Sequence, residues 1–60
     1  MKSLGKRIKS IRTQNNDSQK NLADKLNVSR QLISKWETGT SKPDHAILHK
    51  VANIYNVEFD

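Results

Sequence analysis

The chain has 60 residues, no cysteine and a formal net charge of +5 at neutral pH. A chain this short forms one small domain of marginal stability, and without cysteine it has neither disulfides nor thiolate metal sites. No apolar segment approaches the roughly 18 residues that a membrane-spanning helix needs, and no apolar signal-peptide segment follows the basic N-terminus. We therefore expect a cytoplasmic protein, stabilised by helix packing, by a partner or by a further C-terminal segment.

The charge is unevenly distributed along the chain. Residues 1–42 contain ten Lys and Arg against three Asp and Glu, whereas residues 43–60 contain one lysine against three acidic residues. The basic portion favours a polyanionic partner, although a solubilising surface accounts for this charge equally well. The apolar side of the first predicted helix is narrow and has no aromatic anchor, so no binding to a membrane is expected.

Four helices are predicted in chain order from capping residues and apolar periodicity. Their N-caps are Ser3, Ser18, Ser29 and Asp44. Each N-cap precedes apolar residues spaced three and four apart, which is the pattern of an amphipathic helix. The first helix is expected to end near Gln14, and residues 56–60 are expected to begin a fifth. The sequence therefore predicts an all-α fold, a compact bundle of four to five helices.

The predicted joints between helices contain residues that tolerate a left-handed backbone. These residues are Asn16, Asn27, Gly39 and Asn56. Asparagine and glycine adopt this conformation at helix ends more readily than other residues do. Only Asn27 and Val28 separate the second helix from the N-cap of the third. Two short helices joined so tightly cross at a steep angle, and the second of them is expected to protrude.

The third predicted helix, at about 29–38, has two different faces. At roughly 100° per residue, its apolar side chains gather on one side, at Leu32, Ile33 and Trp36. The opposite side is polar and comprises Arg30, Gln31, Ser34, Lys35 and Thr38. We expect the first side to be buried in the core and the second to face a ligand.

Arg12 lies on the apolar side of the first helix, four residues after Ile8. A guanidinium group at such a position is costly unless it is paired. Glu37, at the edge of the apolar side of the third helix, is the natural partner. We predict an Arg12–Glu37 ion pair that ties the first helix to the third. The alternative is that Arg12 extends past the edge of the core into solvent.

The segment SQKNLADKLNVSRQLISKWETGTSKP, residues 18–43, resembles the helix-turn-helix of the Cro/C1-type (XRE) family of bacterial and phage DNA-binding regulators. The family pattern is matched, with its spacing intact, at Ser18, Gln19, Leu22, Ala23, Leu26, Val28, Ser29, Ile33, Ser34, Trp36, Glu37, Gly39 and Pro43. LGKRIKSIR and LHKVANIYNV resemble the first and fourth helices of the family. The resemblance implies a lambda-repressor-like bundle in which helices 2 and 3 form the helix-turn-helix.

The resemblance also implies how the domain meets DNA, with the second helix across the backbone and the third in the major groove. The residues expected to contact bases are Arg30, Gln31, Ser34 and Lys35. Arginine and lysine suit guanine, and glutamine suits adenine. The residues expected to contact phosphates are Ser18, Gln19, Thr38, Thr40, Ser41 and Lys42. Lys42 is interpreted equally well as a solvated loop residue, and Ser18 can serve as an N-cap at the same time.

Two features depart from the family pattern. Asp17 stands where an apolar residue usually precedes Ser-Gln, and we expect it to loosen the join between the first two helices. The fifth helix of the family normally continues with leucines, whereas this chain stops at VEFD. We therefore expect residues 1–60 to be a single DNA-binding domain from the N-terminal part of a longer regulator, since Phe59 would otherwise close the core alone.

The function predicted from these features is a transcriptional regulator, with repression the expected mode. It would bind double-stranded DNA as a homodimer on a near-palindromic operator. Two alternatives are a DNA-binding antitoxin with a protein partner and a protein-interaction module that has kept only the fold. No cofactor, metal or enzyme activity is expected. His45 and His49 lack a third ligand, and no nucleophile–base pair, carboxylate dyad or glycine-rich phosphate loop is present.

Overall fold

The computed structural model describes residues 3–59 and is helical. Its elements are α1 (Leu4–Gln14), α2 (Gln19–Leu26), α3 (Arg30–Thr38) and α4 (His45–Tyr55). No strand occurs within residues 3–59, and the predicted all-α fold is confirmed. The predicted fifth helix does not begin in this range, because α4 ends at a left-handed Asn56 and residues 57–59 are not helical. Asp60, where that helix would continue, lies outside the described residues.

Each helix begins at the N-cap that the sequence predicted. The side chains of Ser3, Ser18, Ser29 and Asp44 accept a hydrogen bond from the backbone N–H three residues later, at 2.8–3.3 Å. A helix start leaves four N–H groups without intrahelical partners, and the cap satisfies one of them. The bounds of all four helices therefore follow from local chemistry.

The four helices also end in the same way. The residues with positive φ are Asn16, Asn27, Gly39 and Asn56, with values of 61°, 59°, 86° and 54°. In each case the next residue donates its N–H to a carbonyl five positions earlier, as Val28 does to Ala23 at 3.0 Å. This is the Schellman arrangement, which satisfies carbonyls that the helix end would otherwise leave unpaired. The predicted left-handed joints are confirmed.

The core lies between α3 and the other helices. Its fully buried apolar residues are Ile8, Leu22, Ala23, Leu26, Ile33, Trp36 and Val51. α3 packs mainly against α1 and α2, whereas α4 packs more lightly and contributes only Val51 to this fully buried set. Within residues 3–59, no helix has the length and apolar character needed to cross a membrane.

α1 approaches the backbone of α3 closely at Gly5. A Cβ atom placed on Gly5 would overlap the carbonyl oxygen of Trp36 and lie 2.9 Å from its carbonyl carbon. Because these are backbone atoms, they cannot turn aside as a flexible side chain would. A glycine at this position therefore allows the two helices to pack at their observed separation.

We predict that Gly5→Ala destabilises the domain because the new methyl group has no space. The expected loss in the free energy of unfolding is about 1–3 kcal/mol, despite alanine's better helix propensity. Urea denaturation followed by Trp36 fluorescence measures it. Lys9→Ala, at an exposed position of the same helix, is the control and should change stability by less than about 0.5 kcal/mol. Equal stability of Gly5→Ala and the wild type would contradict the close approach.

Candidate nucleic-acid interface

α2 and α3 form a tight helix pair joined by residues 27–29. The left-handed Asn27 reverses the chain, and Val28 packs against the core at the joint. α3 then begins at its cap Ser29 with its apolar side held between α1 and α2. The opposite side of α3 is consequently turned away from the core.

The four predicted base-contacting residues lie on this opposite side, which we call the outer face of α3: Arg30, Gln31, Ser34 and Lys35. Ser34 is half-buried and the other three are exposed. Within residues 3–59, the side chains of Arg30, Gln31 and Lys35 form no hydrogen bond or ion pair. The structure thus brings the predicted base-contacting groups together on one helix face and leaves the three long ones available to a ligand.

The start of α2 carries two of the predicted phosphate contacts. The Ser18 hydroxyl oxygen accepts the N–H of Asn21 at 3.0 Å, so its own proton remains available to another acceptor. Gln19 is half-buried and donates one amide hydrogen to Glu37 Oε1 at 2.9 Å. Its second amide hydrogen is not needed for that bond. Both residues can therefore serve the protein and a phosphate simultaneously.

The remaining predicted phosphate contacts follow α3, and their positions differ. Thr38 and Thr40 are exposed, and their hydroxyl oxygens lie 3.2 Å apart. Thr38 Oγ1 is also 3.0 Å from the carbonyl oxygen of Ser34. If Thr38 donates to that carbonyl, Thr40 donates to Thr38, so one hydroxyl must rotate before either binds a phosphate. Lys42 is exposed.

The hydroxyl of Ser41 is turned toward the protein rather than toward solvent. Its hydroxyl oxygen is covered by the protein and has no hydrogen-bond partner among the described residues. Its backbone N–H donates to the carbonyl of Lys35 at 3.2 Å, in the turn that ends α3. The phosphate contact of Ser41 stays a prediction, and it would require the hydroxyl to turn outward from this conformation.

Arg12 and Glu37 lie against each other in a buried, two-point ion pair. Arg12 Nε is 2.8 Å from Glu37 Oε2, and Nη2 is 3.0 Å from Oε1, with side-chain exposures of 8% and 4%. The hydrogen bond to Glu37 is the main cause of the raised pKa of Arg12. Arg12 Nη1 also donates to the carbonyl oxygen of Asp17 at 2.8 Å. With Gln19 on the same carboxylate, this network joins α1, α2 and α3.

Asp17 does not loosen the join between α1 and α2, and that expectation is wrong. Its carboxylate oxygen Oδ2 accepts from Lys25 Nζ at 2.6 Å and from Tyr55 Oη at 2.8 Å, and the side chain is only 12% exposed. The hydrogen bond from Lys25, followed by that from Tyr55, lowers the pKa of Asp17. Burial, followed by the bond to Asp17, raises the pKa of Tyr55. Polar contacts thus replace the apolar contact expected there.

The two histidines of α4 are exposed and separate from this network. Within residues 3–59, no group of three His, Cys, Asp or Glu side chains is arranged to hold a metal ion. His45 and His49 instead border a shallow groove between α4 and residues 57–59.

Comparison with known proteins agrees with this arrangement. The family model described as helix-turn-helix matches residues 8–60. The chain belongs to the Cro/C1-type helix-turn-helix family. Members of this family are DNA-binding transcriptional regulators.

Individual relatives are similar over almost the whole chain. The HTH-type transcriptional regulator ImmR of Bacillus subtilis is 41% identical over 58 residues, which cover 97% of this chain and 46% of ImmR. The SPbeta prophage-derived uncharacterized regulator YonR of the same species is 41% identical over 57 residues, covering 95% and 53%. The HTH-type transcriptional activator BcrR of Enterococcus faecalis is 36% identical over 57 residues, covering 95% and 28%. The chain thus spans about half the length of the first two relatives and less of the third.

We predict that Glu37→Ala strongly destabilises the domain, because it leaves the Arg12 guanidinium buried without its carboxylate. Breaking a buried pair on one side costs about 3–5 kcal/mol, and thermal and urea unfolding measure the loss. The double variant Arg12→Met/Glu37→Leu is the control, and it should recover much of the stability because neither charge remains buried. If the loss in the free energy of unfolding of the double variant equals the sum of the losses of the two single variants, the two residues act independently.

We predict that Asp17→Asn removes part of the pH dependence of stability. Because folding lowers the pKa of Asp17 below 3.8, its stabilising contribution is present above that pH and is lost as the pH falls below it. The groups facing Asp17 are Lys25, Tyr55 and Arg12. At neutral pH the free energy of unfolding of the variant should be about 1–2 kcal/mol lower than that of the wild type. This difference should shrink in acid.

Urea titrations at several pH values measure this difference. Asp24→Asn is the matched control, since the Asp24–Lys20 pair is largely exposed and should contribute little at any pH. A loss for Asp17→Asn that stays constant from neutral to strongly acidic pH would contradict the role of the carboxylate.

Proposed function

We propose that this domain recognises a specific sequence of double-stranded DNA by inserting α3 into the major groove, as part of a transcriptional regulator. The observation that carries the proposal is the outer face of α3, where Arg30, Gln31 and Lys35 are exposed and have no partner within residues 3–59. A helix of nine residues is about 14 Å long. The major groove, about 12 Å wide, admits a helix and displays a distinct pattern of donors and acceptors for each base pair.

The chemistry of the outer face supports readout of base edges. Arg30 and Lys35 suit the O6 and N7 acceptors of guanine, and the amide of Gln31 suits N6 and N7 of adenine. Ser34 is half-buried and short, and its hydroxyl group can either donate or accept a hydrogen bond. These assignments name preferred partners and do not define one operator sequence.

Phosphate contacts on both sides of α3 would fix its register in the groove. Ser18 and Gln19 lie at the start of α2, where free N–H groups and the positive end of the helix dipole favour an anion. Thr38, Thr40 and Lys42 lie beyond the other end of α3. Such contacts position a protein without reading sequence.

DNA is favoured over a protein as the ligand of the outer face. The large apolar side chains of α3 are turned inward, with Ile33 and Trp36 fully buried. Centres of protein interfaces are depleted in lysine and enriched in aromatic residues, which is the opposite of this surface. The excess of basic residues in positions 1–42 further favours a polyanion.

We propose that two copies bind adjacent half-sites of a near-palindromic operator and that binding represses transcription. Four side chains on one short helix read only a few base pairs, whereas a genome offers about 10⁶–10⁹ competing sites. A two-fold pair doubles the sequence that is read. The two copies of α3 would lie about 34 Å apart on one side of the duplex.

We predict that Arg30→Ala, Gln31→Ala and Lys35→Ala each relax the preference at particular base pairs. The expected loss of discrimination is about 1–3 kcal/mol per residue, because each removes a contact to a base edge. The duplex is first selected by the wild-type domain from a random pool, and fluorescence anisotropy then compares it with single-base variants.

Lys42→Ala is the control for these measurements. Because Lys42 is proposed to contact a phosphate, this variant should weaken binding to all sequences alike. It should also make the slope of log K against log salt shallower by about 0.9. If all three α3 variants instead weaken binding to every sequence equally, the outer face contacts phosphates rather than bases. A wild-type domain that selects no duplex would contradict the proposed function.

A further inference from the structure

We propose that Tyr55, at the end of α4, positions the start of α2 for phosphate contact through its hydrogen bond to Asp17. Tyr55 Oη lies 2.8 Å from Asp17 Oδ2, and Asp17 directly precedes Ser18 and Gln19, the residues proposed above to bind a phosphate. This inference rests on the proposed binding of DNA. It makes Tyr55 a positioning residue rather than a contact, since it acts on DNA only through Asp17.

The backbone N–H, the carbonyl and the carboxylate oxygen Oδ2 of Asp17 all form hydrogen bonds, and their partners come from three helices. Its N–H donates to the carbonyl of Arg12 at 3.0 Å, and its own carbonyl accepts from Arg12 Nη1 at 2.8 Å, both in α1. Its carboxylate accepts from Lys25 in α2 and from Tyr55 in α4. These bonds fix the direction in which the chain enters the N-cap Ser18, and hence where the first N–H groups of α2 point.

Small displacements of the chain where it enters α2 matter more for DNA binding than for folding. A hydrogen bond to a phosphate is lost over a few tenths of an ångström beyond about 3.2 Å, whereas α2 keeps its buried side chains Leu22, Ala23 and Leu26 in the core. Loosening Asp17 should therefore remove a contact to DNA while the domain stays folded.

Tyr55 holds Asp17 more rigidly than Lys25 does. The Lys25 side chain is 46% exposed and has four rotatable bonds, whereas the Tyr55 ring is half-buried and packs against the core. The hydroxyl of Tyr55 thus fixes the carboxylate, and Lys25 mainly compensates its charge. Both bonds hold the carboxylate at the C-terminal ends of α2 and α4.

Tyr55→Phe tests this role, because it removes one hydroxyl and changes no charge at neutral pH. On the duplex selected by the wild-type domain, the dissociation constant should rise about fivefold, as expected for one hydrogen bond. The slope of log K against log salt should become shallower by about 0.9, because one phosphate contact is lost. The preference among single-base variants of the duplex should stay unchanged.

Ile54→Val is the matched control in the same turn of α4. Ile54 is half-buried and packs against the core, so its truncation lowers thermal stability without touching Asp17. It should leave the dissociation constant and the salt slope as in the wild type when binding is measured well below the melting temperature. A change in slope for Tyr55→Phe alone would separate positioning from a general loss of stability.

Two further variants show whether the effect passes through Asp17 and the start of α2. In a Gln19→Ala background, Tyr55→Phe should have a smaller effect on the salt slope than in the wild type, because one of the contacts that it positions is already gone. Asp17→Asn should also weaken binding. Removing a negative charge by itself strengthens binding to DNA, so weaker binding by this variant is explained by lost positioning.

The inference is overturned if Tyr55→Phe binds with wild-type affinity and slope, if its effect adds fully to that of Gln19→Ala, or if Asp17→Asn binds more tightly than the wild type. In each of these cases the wild-type domain still binds its selected duplex, and the proposed function stands. If the wild-type domain selects no duplex, both the proposed function and this inference are wrong.

Discussion

The carboxylate of Glu37 is the group on which the arrangement of the helices depends. It lies buried at the end of α3 and accepts hydrogen bonds from Arg12 in α1 and Gln19 in α2. Burying a charge without its partners is costly, and a two-point guanidinium–carboxylate pair tolerates little variation in distance or angle. Apolar contacts, by contrast, are not directional. Because residues 3–59 contain only seven buried apolar residues, the ion pair supplies an orientation that packing alone would specify poorly.

The orientation of α3 also determines where the candidate DNA-binding residues lie, because α3 is a rigid helix. Its inner side is held at Ile33, Trp36 and Glu37, and the outer face follows from the same backbone at fixed angular offsets. Binding residues on helices are placed more accurately than binding residues on loops. The close approach of α1 at Gly5, against the carbonyl of Trp36, fixes the separation of the two helices as the ion pair fixes their orientation. The interior contacts of α3 thus determine where its outer face lies.

Local chemistry decided which features the sequence could predict. Helix starts and ends follow from N-caps and from left-handed asparagine and glycine residues, which act within five residues. Arg12 on the apolar side of a helix implies a buried partner. The family resemblance predicted that the ligand is DNA and that the third helix lies in the major groove. The remaining features depend on which helices meet in three dimensions. The clash at Gly5, the bond between Tyr55 and Asp17 and the inward turn of Ser41 all involve neighbours that spacing along one sequence does not specify. Tyr55 lies in the segment LHKVANIYNV, which resembles the fourth helix of the family, but nothing local identified a partner for its hydroxyl.

The acidic residues in positions 1–42 show how a basic surface can contain carboxylates that are paired within the protein. Asp17, Asp24 and Glu37 are the only acidic residues in positions 1–42, and each forms an ion pair, with Lys25, Lys20 and Arg12 respectively. Two of these pairs anchor helices, and all three cancel negative charge that would otherwise repel a phosphate. Arg30, Lys35 and Lys42 form no ion pair within residues 3–59, so their charge remains available to a ligand. Asp17 therefore strengthens the junction between α1 and α2 at a position separate from Arg30, Lys35 and Lys42, and its pairing with Lys25 balances its negative charge.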